Sequence, residues 1–285
     1  MATDITDSSK AAENKTGFIS TRHQQAEEPE PDHPTPRLGR RESEPHSAEV
    51  SYLFDVLKHN FEGDRVIWDL HHYFILDGEE IDLQFDISFF RDLSIPYTLS
   101  SFRSSDFDNR VPTMVINVFS KSTFKNDVGI VADRCRWLNI PLYVIFNPFI
   151  QYPKSYRAPF LRIYQLKPDG TYLVKESRKI SQKEGEDLDP STLLEVGDVV
   201  PFQFGIRELK EKHQNGTPLF HLILVDTESK SVLKTFREQE TERAEKEKER
   251  AEKEKERAEK EKERAEKEKE RADKLAEELK KYKDK

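Results

Sequence analysis

One stretch of the chain, residues 112–148, constrains the fold more than any other because it follows the order strand, polar loop, helix, strand. Residues 114–119 and 142–146 are short apolar runs, as is typical of strands buried on both faces. Between them, residues 127–138 carry apolar side chains at the spacing of a helix with one apolar face, and Asn139 ends this helix. Two buried strands joined by one helix predict a right-handed crossover with parallel strands, and therefore an α/β fold.

Further elements are predicted on both sides of this unit. Residues 51–61 have the apolar spacing of a short first helix, and two strands over residues 66–76 and 81–90 flank a turn at Asp77 and Gly78. After Pro148, the runs LRIYQL and TYLV flank a Pro-Asp-Gly turn and predict a hairpin. The last strands are predicted over residues 201–207, 219–225 and 231–236.

Cysteine content and hydropathy limit the class of protein. The chain has 285 residues and one cysteine, and no apolar run approaches the roughly 18 residues of a membrane span. The first residues lack the basic and then apolar pattern of a signal peptide. We therefore expect a cytoplasmic protein that has neither a membrane span nor a disulfide framework. Cys135 lies on the apolar face of the predicted helix, which indicates a small core residue rather than a nucleophile.

Two charged segments flank the predicted domain of residues 49–236. Residues 1–48 are polar and rich in proline, which predicts a disordered arm. Within the arm, Arg37, Arg40 and Arg41 are either a contact for nucleic acid or a partner, or part of a solvated linker; the acidic residues on both sides favour the linker.

The C-terminal segment, residues 237–285, is built on the repeat AEKEKER, which recurs four times from Ala244. The period of seven is typical of coiled coils, but a glutamate stands three residues after each of the first four alanines. One small apolar residue per heptad is too little for a stable seam. Glu–Lys and Glu–Arg pairs three or four positions apart favour a solvated single helix. A spacer is the favoured interpretation, and self-association or a protein partner through this segment is the alternative.

Residues 118–148 also follow the motif of a known family. The motif contains an apolar pair, Glu, a Ser-any-Ser-Thr turn, Asp, Gly, Glu-Lys and a helix that leads to Gly-Val-Pro and Tyr. The residues that agree with it are Val118, Ser120, Ser122, Thr123, Asp127, Gly129, Ile140, Pro141, Tyr143 and Pro148. From about residue 66 to residue 236, the chain resembles the restriction-endonuclease family abundant in cyanobacteria, a branch of the PD-(D/E)XK nucleases. The resemblance implies a restriction-endonuclease-like core, a mixed sheet flanked by helices.

The resemblance further implies hydrolysis of DNA phosphodiester bonds with a divalent metal, expected to be Mg²⁺. In the family an Asp and a Glu hold the metal, and a Lys orients or deprotonates the attacking water. These three positions fall on Asp86, Asn117 and Val131. Asp86 and Asn117 would be the metal ligands, but the asparagine offers only a neutral oxygen, and valine offers nothing to water or phosphate. The resemblance therefore implies a degenerate member whose catalysis is impaired.

Asp86 is the strongest single site candidate, because a carboxylate within an apolar strand needs a metal, a cation or hydrogen bonds. The alternative is that Asp86 is a structural residue whose carboxylate caps backbone N–H groups or forms a salt bridge. Lys121 or Lys125 would replace the lost lysine if catalytic residues had migrated, and Asp127 or Asp133 would supply a second carboxylate. Asp127 is otherwise expected to cap the helix, where exposed N–H groups favour acids.

Charge argues against strong DNA binding. The net charge is −8, and the predicted domain keeps a negative balance, whereas phosphate binding favours a basic face. A local basic patch is predicted around Lys154, Arg157, Arg162 and Lys167. Three hypotheses follow: an active endonuclease with a rebuilt site, an inactive module that binds DNA weakly, and a scaffold whose C-terminal helix binds a partner.

Overall fold

A computed structural model of the protein describes residues 43–120, 123–151 and 153–283. The described residues divide into two compact units, those up to Val232 and those from Leu233 onward. The predicted arm up to residue 42 lies outside the described residues, and so does Lys121. In the described ranges, no helix combines the length and the apolar character that crossing a membrane requires.

The first unit contains a seven-stranded mixed sheet with the strand order β3-β1-β2-β4-β5-β6-β7. The strands are β1 (Arg65–Leu76), β2 (Glu79–Phe90), β3 (Phe102–Arg103), β4 (Met114–Val118), β5 (Leu142–Asn147), β6 (Phe160–Leu166) and β7 (Tyr172–Ser177). Asp77 and Gly78 join β1 to β2 with φ angles of 52° and 83°, the left-handed pair of a tight hairpin turn. The α/β class predicted from the sequence is confirmed.

The predicted crossover is present, because β4 and β5 pair in parallel from Met114↔Leu142 to Val118↔Phe146. The helix between them, α2, spans residues 124–137 and comprises Phe124–Asn126, a widened π turn at Asp127–Val131, and Ala132–Trp137. It therefore begins three residues before its predicted start. Asn139, with φ of 57°, ends it, as a left-handed residue commonly does.

A smaller sheet follows, with the order β10-β9-β8. Its strands are β8 (Gln182–Lys183), β9 (Phe202–Lys212) and β10 (Pro218–Asp226). The strand predicted over residues 231–236 is wrong. Val232 makes an isolated bridge with Val225, and a helix begins at Phe236, where the glutamate-rich segment favours helix over strand.

Helix α1 (Glu44–Asn60) packs on β1, β2, β4 and β10. The sequence pattern predicts that residues 44–48 belong to the disordered arm and that this helix starts at residue 51. Both boundaries are corrected by the structure. Pro45 is suited to the first turn of a helix, and His46, Glu49 and Val50 lie on the same buried face as Leu53 and Leu57.

The second unit consists mainly of α3 (Phe236–Lys283), a single helix whose described side chains are largely exposed. Glutamate and lysine pair four residues apart at a period of seven. The predicted Glu249–Lys253 pair is present, with 2.5 Å between Oε1 and Nζ, and the next repeats contain the corresponding pairs Glu256–Lys260 and Glu263–Lys267. The repeat thus forms the solvated helix that its charge spacing predicts.

Candidate functional site

The site begins where β2 and β4 separate. Their ladder includes the pair Ile87↔Ile116, and beyond it side chains replace the backbone pairing. Asp86 Oδ2 accepts a hydrogen bond from the Val118 amide at 2.7 Å, and the Asp86 amide donates to Asn117 Oδ1 at 3.3 Å. Asp86 is only 2 % exposed, and these bonds offset the cost of burying it. The structure therefore brings Asp86 and Asn117 together at this fork.

Asn117 connects Asp86 to a second buried carboxylate. Its Nδ2 donates to Asp127 Oδ1 at 2.8 Å and lies 3.3 Å from the hydroxyl of Tyr143. Thr123 Oγ1 donates to the other oxygen, Asp127 Oδ2, at 2.8 Å. Both oxygens of Asp127 therefore receive donors from the protein. A glutamate at position 117 would have no N–H to offer Asp127, so the amide suits this neighbour as a carboxylate would not.

Asp127 does not have the capping role that the sequence suggested. The helix starts at Phe124, so Asp127 lies inside it, at the start of the π turn, and is fully buried. The widened turn directs two carbonyls toward tyrosines on the sheet: Tyr143 Oη donates to the Asp127 carbonyl at 3.0 Å, and Tyr164 Oη to the Val128 carbonyl at 3.4 Å. Such turns are frequent at functional sites, and here the turn points a carboxylate at Asn117.

Val131, at the position where the sequence resemblance would place a lysine, is buried beside a small void of about 10 Å³. The lining residues are Asp82, Leu83, Gln84, Asn126, Asp127, Val131 and Arg134. A void of this size is at the lower limit for one water molecule, so a lysine side chain at position 131 would have to displace its neighbours.

Arg134 is a cation at this void that the sequence analysis did not single out. Burial lowers the pKa of Arg134, and the charge of Asp82 acts in the opposite direction. An arginine remains protonated in proteins, so Arg134 cannot deprotonate a water. Its position seven residues after Asp127, two helical turns along, was the available signal.

The proposed replacement residues divide between the core and the surface. Lys121 lies outside the described residues. Lys125 and Asp133 are both exposed on α2, whereas Asp127 is buried in the cluster. Of the two candidates for a second carboxylate, the structure therefore places Asp127 next to Asn117 and leaves Asp133 at the surface.

His46 is the residue of this cluster that sequence reasoning missed. Its Nε2 lies 3.2 Å from the Val118 carbonyl oxygen and 3.5 Å from Asp86 Oδ2, and the side chain is 4 % exposed. Ser43 and Pro45 were the signal, because a serine followed by a proline commonly opens a helix. A helix that starts there places His46 two turns before Leu53, on the same face.

The residues at the fork do not fit a divalent metal. In the described part of the chain, no group of three or more His, Cys, Asp or Glu side chains is arranged to hold one. Asn117 Oδ1, the oxygen that a metal would need, accepts the Asp86 amide instead. Asp86 Oδ2 faces the Val118 amide and the His46 imidazole. Among the described residues, protein donors therefore face two of the oxygens that a metal would need, Asn117 Oδ1 and Asp86 Oδ2.

One other sequence expectation, the core role of Cys135, can be compared with the structure. Cys135 is fully buried, and burial, with a smaller effect from Asp127, raises its pKa well above the usual value, so the core role is confirmed. His71 bonds to Asp82 at 2.9 Å, whereas His72 is buried among the rings of Phe74, Phe85 and Phe102. The two histidines thus have separate surroundings, because neighbours on a strand point to opposite faces.

Comparisons with known proteins give matches among solved structures only. Neither the protein-family models nor the curated proteins include a match to this chain. Among solved structures, the chain is similar to one described as a "putative nuclease belonging to DUF820 from Anabaena variabilis ATCC 29413". The likeness has 16 % sequence identity and a TM-score of 0.39, and it covers 56 % of this chain and 76 % of that one.

Proposed function

We propose that the first unit is a restriction-endonuclease-like domain that does not hydrolyse DNA, and that the chain serves as a binding scaffold. The observation that carries this proposal is the position of Asn117. Its oxygen accepts from the Asp86 amide, and its nitrogen donates to Asp127. A phosphodiester-cleaving metal site needs charged oxygens that face a cation, whereas here an amide occupies the space between two carboxylates.

Val131 supports the same proposal. Metal-assisted hydrolysis of a phosphodiester needs a group that orients or deprotonates water. The side chain of Val131 is apolar and buried, and the adjoining void has a volume of about 10 Å³. Neither the water-activating group nor the room for a phosphate is available at this position.

Charge pairing supports weak rather than strong binding to DNA. Of the four basic residues predicted to form a patch, Arg162 pairs with Glu176 and Lys167 pairs with Asp169. Lys154 and Arg157 are exposed. Two exposed cations make a small contribution to phosphate binding, and that contribution falls with added salt. A scaffold role through the exposed helix α3 is the better supported part of the proposal.

The test is incubation of the purified full chain with supercoiled plasmid and single-stranded DNA in Mg²⁺ and in Mn²⁺. We expect no cleavage by the wild type or by Asp86→Asn. Activity that persists equally in Asp86→Asn would come from another source. Cleavage by the wild type that Asp86→Asn abolishes would contradict the proposal and would show that a site has been rebuilt around Asp86.

A further inference from the structure

The fork between β2 and β4 brings two oxygens close to one nitrogen. The carboxylate oxygen Oδ2 of Asp86 and the carbonyl oxygen of Val118 lie 3.5 Å and 3.2 Å from Nε2 of His46. A carboxylate and a backbone carbonyl are ligands of the kind that Mg²⁺ and Ca²⁺ take. Among the described residues, the His46 imidazole faces both of them, and its Nε2–H can donate to either oxygen.

His46 is held in this position by the helix that carries it. One turn later on α1, Glu49 Oε1 accepts the Leu222 amide at 2.8 Å, and Glu49 Oε2 lies 2.5 Å from His221 Nδ1. Both His46 and Glu49 are buried. The first turns of α1 are therefore fixed to β10 by one side chain and to the fork by the other.

The other members of the cluster also have protein donors. Asp86 Oδ2 receives the Val118 amide, and Asp127 receives Asn117 Nδ2 and Thr123 Oγ1. Buried carboxylates need such donors or a cation. At both of these carboxylates, N–H or O–H groups of the protein supply hydrogen bonds that lower the cost of burial.

We propose that His46 occupies the position of a divalent cation at the fork, so that the domain folds without a metal and binds none there. The inference rests on the proposed non-catalytic function, and it adds a role for α1. His46 is a positioning residue in this account: it holds Asp86 and Val118 together across the separated ends of β2 and β4.

The test is thermal unfolding of the full chain after EDTA treatment, with and without added Mg²⁺ or Mn²⁺. Since a ligand that binds only the folded state raises its midpoint, we expect either metal to shift the wild type by less than about 1 °C. We expect His46→Ala to lower the midpoint by about 2–4 °C, the shift typical of a single weakened contact in a domain of this size. His46→Gln keeps an N–H donor, and its unfolding midpoint should fall by less than that of His46→Ala. Ser47→Ala, at the exposed neighbour on the same helix, should match the wild type.

Two results would overturn the inference. One is a rise in the wild-type midpoint with Mn²⁺ that Asp86→Asn removes, because a metal would then bind where His46 is placed. The other is a midpoint for His46→Ala equal to that of Ser47→Ala. If His46→Ala does not fold, the unfolding midpoints of the wild type and of His46→Gln with added Mn²⁺ still test the inference. If the protein cleaves DNA but added metal does not change its unfolding midpoint, the proposed function is contradicted, whereas the proposed role of His46 is not.

Discussion

Asn117 shows how one residue can change what a buried cluster is able to bind. It lies between Asp86 and Asp127, and its amide gives an acceptor to one side and a donor to the other. A carboxylate at this position would face Asp127 without a donor, and like charges at short distance cannot both remain ionised in a buried site without a cation. The neutral side chain therefore fits a metal-free cluster.

We predict that Asn117→Asp makes the stability of the domain depend on a cation. Without metal at neutral pH, the free energy of unfolding should fall by about 3–5 kcal/mol, because the substitution leaves an uncompensated buried charge. Added Mn²⁺ should recover part of the loss, because three carboxylates would then converge. Urea unfolding monitored by circular dichroism, with EDTA or Mn²⁺, measures both effects.

Asn147→Asp is the matched control for that substitution. Asn147 is equally buried, on β5, and its Nδ2 donates to the carbonyls of Ile150 and Tyr156 rather than to a carboxylate. This variant should also be destabilised, but Mn²⁺ should not help it. Equal recovery of the two variants with Mn²⁺ would show that the metal acts elsewhere.

His72 gives a prediction about pH. Burial among aromatic rings lowers the pKa of His72 from its usual 6.5 to about 4, although the bond to the Leu70 carbonyl opposes this shift. Between these two values the unfolded chain binds the proton and the folded chain does not, so stability is full above pH 6.5 and falls as the pH is lowered. The loss should reach about 3 kcal/mol near pH 4.

The measurement is the free energy of unfolding from urea titrations at pH 7 and pH 4.5. His72→Leu removes the titrating group and should show a smaller decrease with acid than the wild type, whatever its stability at pH 7. His213→Gln, in the loop after β9, is the control and should keep the wild-type decrease. A wild-type decrease in His72→Leu would mean that other groups cause the acid sensitivity.

The sequence predicted part of this cluster, for physical reasons that differ from residue to residue. The sequence predicts correctly that Asp86 and Asn117 lie on strands, because apolar runs locate strands well, but it does not predict that these two strands are neighbours. The Asp127 side chain points at Asn117 because of the π turn, and a π turn cannot be recognised from the spacing of apolar residues. The sequence pattern does not point to His46, because it predicts that α1 starts at residue 51. The Ser-Glu-Pro sequence from residue 43 is a helix start, but it lies within a segment whose polar composition predicts a disordered arm.

At the scale of elements, α1 joins the two sheets of the first unit through polar side chains as well as apolar ones. Leu53 and Leu57, two residues of α1 itself, are fully buried, as the apolar spacing of the helix predicts. Glu49 reaches β10, which lies more than 170 residues away in sequence. No local pattern encodes such a distant pair, so sequence reasoning could place the helix on a core but not on that strand.

We predict that Glu49→Ala weakens the attachment of α1. The Leu222 amide would lose its acceptor while it remains buried, and the cost should be about 3 kcal/mol in the free energy of unfolding. Amide hydrogen exchange should also become faster in α1. Glu44→Ala, at the exposed start of the same helix, is the control. A stability equal to that of the control would show that Glu49 contributes nothing net to the attachment.

At the scale of the whole molecule, α3 is a helix of 48 residues, which extends for about 72 Å at 1.5 Å per residue. Its heptads place alanine at one core position and glutamate at the other: Ala244 and Glu247 begin a series that repeats through Ala265 and Glu268. Charged side chains on both sides of a seam oppose close packing between two helices. The pairs within one helix, such as Glu256–Lys260, need no partner chain.

We therefore predict that the full chain is monomeric. We also predict that apolar substitutions create a dimer only on the face of α3 that carries the repeated alanines. The triple variant Glu247→Leu, Glu254→Leu, Glu261→Leu completes an apolar seam with the alanines, and it should sediment as a dimer at tens of micromolar. The variant Glu245→Leu, Glu252→Leu, Glu259→Leu removes the same charge from a position outside the seam and should remain monomeric in sedimentation velocity. A wild type that is already dimeric would mean that charged pairs between chains, rather than an apolar seam, hold α3 to a second copy, and the spacer interpretation would then give way to self-association.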